Sequence, residues 1–246
     1  DSPNGLLYET FTSTAFQAHQ YGVPTIGWGS DILSLTPAAT EAFFKTYYGP
    51  NNATVAIVGD INPKEVIALI EQTFGKIPAA PPIPSLVTEE PPQRGERRVE
   101  IEFDAEPPLA IGYHKPTIGH PDDFVFDVID EVLTEGVTSR LYSTLVRDKR
   151  LAASVLSDTN YPGVRAPNLF VIAATPLAPH TTPEVESAIY EELDRLKAEP
   201  ISTKEFERVL NGLDADLVRS LRSNSGLASQ LAFYQTVAGT WRYVLN

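Results

Sequence analysis

"NNATVAIVGDINPKEVIALIEQTFG", Asn51 to Gly75, is the stretch on which the fold turns. Val55, Ala56, Ile57 and Val58 make an apolar run of the length of a buried strand. Gly59-Asp60 turns the chain, Asn62 supplies an N-cap, and Pro63 takes the first helical position, where its missing N–H costs nothing. A corner of this kind could instead cradle phosphate. That use needs several glycines, or a glycine-rich loop ending in Lys-Ser or Lys-Thr, so that backbone amides can approach the anion. One glycine followed by an aspartate that repels phosphate offers neither, so the stretch predicts a strand, a corner and a helix.

The same grammar extends in both directions. Residues 3–16 have a helical pattern, and "SLTPAATEAFFKTYYGP" begins a second helix with Thr36 as cap and Pro37 in the first turn, stopping near Gly49-Pro50. "KIPAAPPIPSLVTEEPPQRGE", Lys76 to Glu96, contains six of the 21 prolines. It cannot sustain a helix and pairs poorly in a sheet, which makes it a linker. Beyond it, "RRVEIEF" and "PLAIGYHKP" read as strands, followed by helices over 122–133 and 138–148. "AASVLSDT" and "NLFVIAAT" are further strands. "TTPEVESAIYEELDRLKAEP" is a helix with Val185, Ile189, Leu193 and Leu196 on one face, and Phe206 to Leu221 mark another. Such stripes are core-packing faces. A strand leading to a proline-started helix occurs twice, at Val58/Pro63 and at Ala174/Pro183, which hints at duplication.

Composition narrows the function. A chain of 246 residues has room for two lobes. With 19 Lys and Arg against 32 Asp and Glu, the net charge of −13 disfavours binding to a nucleic-acid backbone. No apolar run is long enough to span a bilayer. The absence of cysteine removes disulfides, thiolate zinc ligands and cysteine nucleophiles together, and is compatible with periplasm or cytoplasm alike.

Chemistry is sparse. The four histidines, His19, His114, His120 and His180, form neither a His-x-x-Glu-His nor a His-Glu-x-x-His pattern. His19 reads as a packing and hydrogen-bonding residue, and His114 and His120 as structural or exposed. No Gly-x-Ser-x-Gly elbow is present. The pairs Glu89-Glu90 and Asp122-Asp123 fall in the linker and at a helix start, where solvent or the helix dipole favours them, so they are poor acid/base candidates. Arg147, in "SRLYSTLVRDKRLAASV", lies where a helix runs into a strand. There it could donate to a bound peptide carbonyl or carboxylate, or pair with Asp148 at the surface.

Five stretches, in order, resemble one family: "AFQAHQYGVPTIGWGSDILSLT", "FFKTYYGPNNATVAIVGDINPKEVIALIEQTFGKIP", "GVTSRLYSTLVRDKRLAASV", "EELDRLKAEPISTKEFERVLNGL" and "SNSGLASQLAFYQTVAGTWRY". They look like the insulinase/pitrilysin zinc metallopeptidases, especially bacterial members akin to mitochondrial processing peptidase. The resemblance implies an α+β fold of duplicated two-layer lobes, each a mainly antiparallel sheet with helices on one side. Residues 1–76 would be the C-terminal part of a first lobe, 77–96 the interlobe linker, and 97–246 a second, truncated lobe. It further implies a fragment of a zinc endopeptidase that cleaves peptides or unfolded polypeptides in a chamber between lobes. The family's His-x-x-Glu-His and its later glutamate precede the segment matching Asp1, so zinc belongs to the parent, and no catalytic or metal residue is expected in this chain.

Arg147 matches a family arginine that binds substrate backbone. The family's accompanying tyrosine aligns with Ala153, which breaks the pair. A homologous partner subunit or a homodimer is a further expectation. The rival reading is a non-catalytic partner or assembly subunit of the same family.

Overall fold

The computed structural model describes residues 2–245. Eleven elements organise them: α1 (Pro3–Ala15), α2 (Gly29–Ser34), α3 (Pro37–Tyr47), α4 (Pro63–Thr73), β1 (Leu109–Lys115), α5 (Pro121–Leu133), β2 (Ala152–Tyr161), β3 (Asn168–Pro176), α6 (Thr182–Ala198), α7 (Thr203–Leu221) and α8 (Asn224–Val237). The chain is α+β, and its sheet is antiparallel. It divides into two compact units, one of Asp1–Val23 with Glu90–Leu217, the other of Pro24–Glu89 with Val218–Asn246.

The first unit is built on a three-stranded sheet of order β1-β3-β2. Ile111 pairs with Ile172 on one side of the central strand, and Val155 with Ala174 on the other. Side chains alternate across a strand, so Phe170, Ile172 and Ala174 point to one face, and Leu169 and Val171 to the opposite one. The first face packs with Leu133 from α5, Leu141 and Leu145 from the following helical segment, and Val185, Ala188 and Ile189 from α6. The second face carries Phe11, Ala15 and Phe16 of α1 and its exit. β3 is therefore buried on both sides, which is why it reads as the continuous apolar run "LFVIAA" while β2 alternates. Gly112 on β1 admits α1: a Cβ there would stand 2.6 Å from the Phe11 ring.

Helix starts follow the sequence signals. The Ser2 hydroxyl accepts from the Gly5 amide, Thr36 from Ala39 and Asn62 from Lys64, each just before a proline at the first helical position. Before α6, the Thr181 amide donates to the Glu184 carboxylate at 2.7 Å, the return half of a capping box.

The second unit contains α2, α3, α4, α8 and the short 3-10 turn Trp241–Leu245. Gly59-Asp60 makes the expected corner, with the Ile61 amide donating to the Gly59 carbonyl before α4 begins. The apolar run before it departs from expectation: Val55–Val58 joins no ladder, and Val55 is 63% exposed. "RRVEIEF" is likewise outside the sheet. A strand exists only through the hydrogen bonds of a neighbour, and among the described residues no segment is laddered to either run. Their apolar content, not their pairing, was what the sequence displayed.

Candidate functional site

The segment carrying Arg147 starts after α5. Gly136, with φ of 78°, turns the chain, and the buried Ser139 hydroxyl donates to the Gly136 carbonyl at 2.8 Å. A helix begins and widens into a π-helical turn over Tyr142–Asp148. Its closing bonds show the extra residue: the Lys149 amide reaches the Thr144 carbonyl, five residues back, and the Leu151 amide reaches Leu145. Arg150 then takes a left-handed conformation, φ 52°, that ends the helix and sends the chain into β2. A π-helical turn and a left-handed non-glycine residue each cost energy, and both are over-represented at functional sites.

The turn is held from beneath. Leu141 and Leu145 are fully buried in the core. Thr144 donates to Glu192 Oε1 at 3.1 Å, and Arg195 Nη1 lies 3.2 Å from the same oxygen. Arg140, just before the turn, makes a two-point contact with Glu205 of α7, Nε to Oε1 and Nη2 to Oε2, both at 2.8 Å. The fork geometry makes this pair a directional charge contact.

Arg147 stands on the outer side. Its side chain is 54% exposed and bonds Asp148 at two points, Nε to Oδ1 at 2.7 Å and Nη2 to Oδ2 at 2.9 Å. These bonds hold the Asp148 carboxyl below the usual carboxylate range. Two guanidinium N–H groups are engaged, so the others remain for a further acceptor. Six residues on, Ala153 sits in a register break of the β2–β3 ladder: Ala152 pairs with Pro176 and Ser154 with Thr175, leaving Ala153 as the bulged residue, exposed on a sheet edge. Bulges re-aim side chains at edges. Here the side chain is a methyl group, with no hydroxyl to offer.

The histidines do not converge. His19 is buried, its Nδ1 accepts from the Tyr21 amide at 3.2 Å, and its ring packs edge-on against Tyr21. His114 Nε2 lies 3.2 Å from the Ala15 carbonyl, and His120 caps α5 by accepting from the Asp122 amide. Among the described residues no three His, Cys, Asp or Glu side chains are grouped so as to hold a metal ion. These scattered donors do not make a set that fits zinc.

A part-buried acidic stripe, by contrast, lies on α5. Asp123, Asp127 and Asp130 recur at i, i+4 and i+7 on α5, a spacing that places them on one face. Asp123 is buried against the Lys115 ammonium, which also lies 5.5 Å from the Phe126 ring centre. Asp130 accepts from the Ser157 hydroxyl of β2, and Thr134 bonds the same hydroxyl. Burial raises the Asp130 carboxyl to about 6; the Ser157 bond opposes this, while Glu135, Asp127 and Asp158 add to it. The signal was available as acidic residues at helical spacing on a side that also carries Phe126 and Leu133.

The sequence profile described as the peptidase M16 inactive domain matches residues 34–213. The zinc protease PqqE of Helicobacter pylori is 31% identical over 238 residues, covering 95% of this chain and 53% of that protein. The uncharacterized zinc protease YmxG of Bacillus subtilis is 24% identical over 231 residues, covering 94% and 55%. The crystal structure of a protease from Helicobacter pylori superposes with a TM-score of 0.90 at 31% identity, over 96% of this chain and 58% of that one. The chain thus spans about half the length of the curated relatives it matches.

Proposed function

The chain belongs to the peptidase M16 family, and on that premise we propose that it forms the non-catalytic, substrate-contacting part of a zinc-dependent endopeptidase acting on peptides or unfolded polypeptides. In this reading the metal and the water-activating glutamate are supplied by a region outside this chain or by a homologous partner subunit, and substrate lies in a chamber between lobes. Similarity to proteins named zinc proteases supports the hydrolase parent.

The observation that carries the role of this chain is Arg147. It is a guanidinium on a π-helical turn, exposed, with donors to spare, next to a bulged edge strand. Its fixed carboxylate neighbour, Asp148, orients the planar fork without burying it. Such a group can hold a substrate carbonyl or a carboxylate by hydrogen bonds that need no proton transfer. Because Ala153 contributes no second donor, Arg147 bears this contact alone.

The test uses the full-length parent and a quenched-fluorescent peptide. Arg147→Ala should raise KM roughly tenfold and leave kcat within about twofold, the pattern of a lost binding contact. Unchanged KM would remove Arg147 from substrate binding. Zinc-dependent hydrolysis by residues 1–246 alone, at stoichiometric metal, would overturn the non-catalytic assignment. A parent without a usable zinc motif would make the chain part of an assembly subunit.

A further inference from the structure

The acidic pair Glu89-Glu90 in the proline-rich segment finds a use that acid/base chemistry does not supply. Glu89 is exposed, whereas the Glu90 side chain is only 11% exposed. Its carboxylate accepts from three consecutive backbone amides just past the end of α1. Gln17 donates to Oε1 at 2.8 Å and to Oε2 at 3.0 Å, Ala18 to Oε2 at 2.9 Å, and His19 to Oε2 at 3.0 Å. Successive N–H groups converging on one anion constitute a nest, a concavity of fixed positive partial charge.

Arg97 completes the arrangement. Its Nη1 donates to the Thr14 and Ala15 carbonyls at 3.1 and 2.6 Å, at the negative end of α1, and lies 3.8 Å from Glu90 Oε1. The end of α1 therefore meets a cation at its carbonyls and an anion at the amides that follow. Burial by itself would raise the Glu90 carboxyl, yet the three amides and Arg97 hold it below its ordinary value.

The position of this contact in the chain gives it a consequence. The polypeptide leaves the first unit after Val23 and re-enters it at Glu90. Glu90 is thus the first residue of the returning segment, and it docks on residues 17–19, a few positions before the departure. Pro91 and Pro92 stiffen the chain behind the carboxylate and donate no amides of their own.

We propose that the amides of Gln17, Ala18 and His19 form a carboxylate receptor whose occupant is Glu90, and that this pairing latches the proline-rich segment and closes the excursion made by residues 24–89. The receptor recognises carboxylate chemistry, not the glutamate side chain as such. A small free carboxylate therefore enters it when Glu90 is shortened. The latch is independent of the role given to Arg147, and its test reads no peptide binding.

The experiment measures amide hydrogen exchange and tryptic cleavage after Arg94 in the full chain, for wild type, Glu90→Gln and Glu90→Ala, in sodium acetate or in sodium chloride of equal ionic strength. Glu90→Ala should speed exchange at residues 17–19 roughly ten- to hundredfold, as the loss of charge-assisted bonds implies. Cleavage after Arg94 should quicken with it. Acetate at a few tenths molar should restore much of the protection where chloride does not, and Glu90→Gln, which keeps an acceptor but no charge, should fall between. The Ile172 amide serves as the folding control. If Glu90→Ala also frees Ile172, the comparison is read from Glu90→Gln, where unchanged exchange at residues 17–19 overturns the latch. Accelerated exchange that acetate and chloride affect equally overturns the receptor.

Discussion

Asp130 lets the structure set a pH dependence with a sign. Its carboxyl lies between α5 and β2, accepts from Ser157, and has an ordinary value of 3.8 that burial lifts to about 6. The charges around it are Asp127, Glu131 and Glu135 from its own helix and the turn beyond, and Asp158 on β2; Arg208 from α7 donates to the Glu131 and Glu135 carbonyls. The acids outnumber the bases, so the surroundings favour the proton. The folded chain therefore binds it more tightly than the unfolded chain, and the group costs stability as pH rises from about 4 through about 6.

At about 1.4 kcal/mol per pH unit the gap corresponds to ~3 kcal/mol at most. Partial exposure of Asp130 and relaxation around it bring the expected effect to about 1–3 kcal/mol. Asp130→Asn keeps an acceptor for Ser157 and removes the charge. Urea unfolding at half-unit steps from pH 4 to pH 8 should show the variant more stable than wild type by that amount at pH 7.5, and equal or less stable at pH 4. A variant less stable than wild type at pH 7.5 by more than at pH 4 would mean that the fold favours the carboxylate, and would refute the reasoning.

Other consequences can be measured in the same way. Leu145→Ala removes a fully buried side chain beneath the π-helical turn and should cost about 2–5 kcal/mol in urea unfolding, whereas Arg147→Ala, on the outer side of the same turn, should leave the midpoint unchanged. Arg140→Ala strands the part-buried Glu205 carboxylate and should cost about 1–3 kcal/mol. Arg140→Ala with Glu205→Ala should cost less than the sum of the two single changes, and strict additivity would show the pair to be uncoupled.

Local chemistry was legible where it acts through a few neighbouring residues. Thr36-Pro37 and Asn62-Pro63 start their helices as read, because a cap and a missing N–H are properties of adjacent positions. The strands Leu109–Lys115 and Asn168–Pro176 are close to "PLAIGYHKP" and "NLFVIAAT". The helix expected over 138–148 is there with a π-helical turn that its residue types do not announce; Leu145 packs into the core beneath it and Thr144 bonds Glu192. The pairing of Arg147 with Asp148 is legible from a single stretch, because the two residues are adjacent.

By itself, the sequence determined the caps, corners, apolar stripes and acidic balance of this protein, and through ordered motifs its family. These depend on residue type and short spacing. Tertiary structure alone decided that Val55–Val58 and "RRVEIEF" stay out of the ladder, that Ala153 is the bulged residue, that Asp130 is half-buried among acids, and that Glu90 reaches the amides of residues 17–19. The physical reason is common to all four. Pairing, burial and charge environment are supplied by groups distant in sequence, and a residue's own identity does not say which of them it will meet.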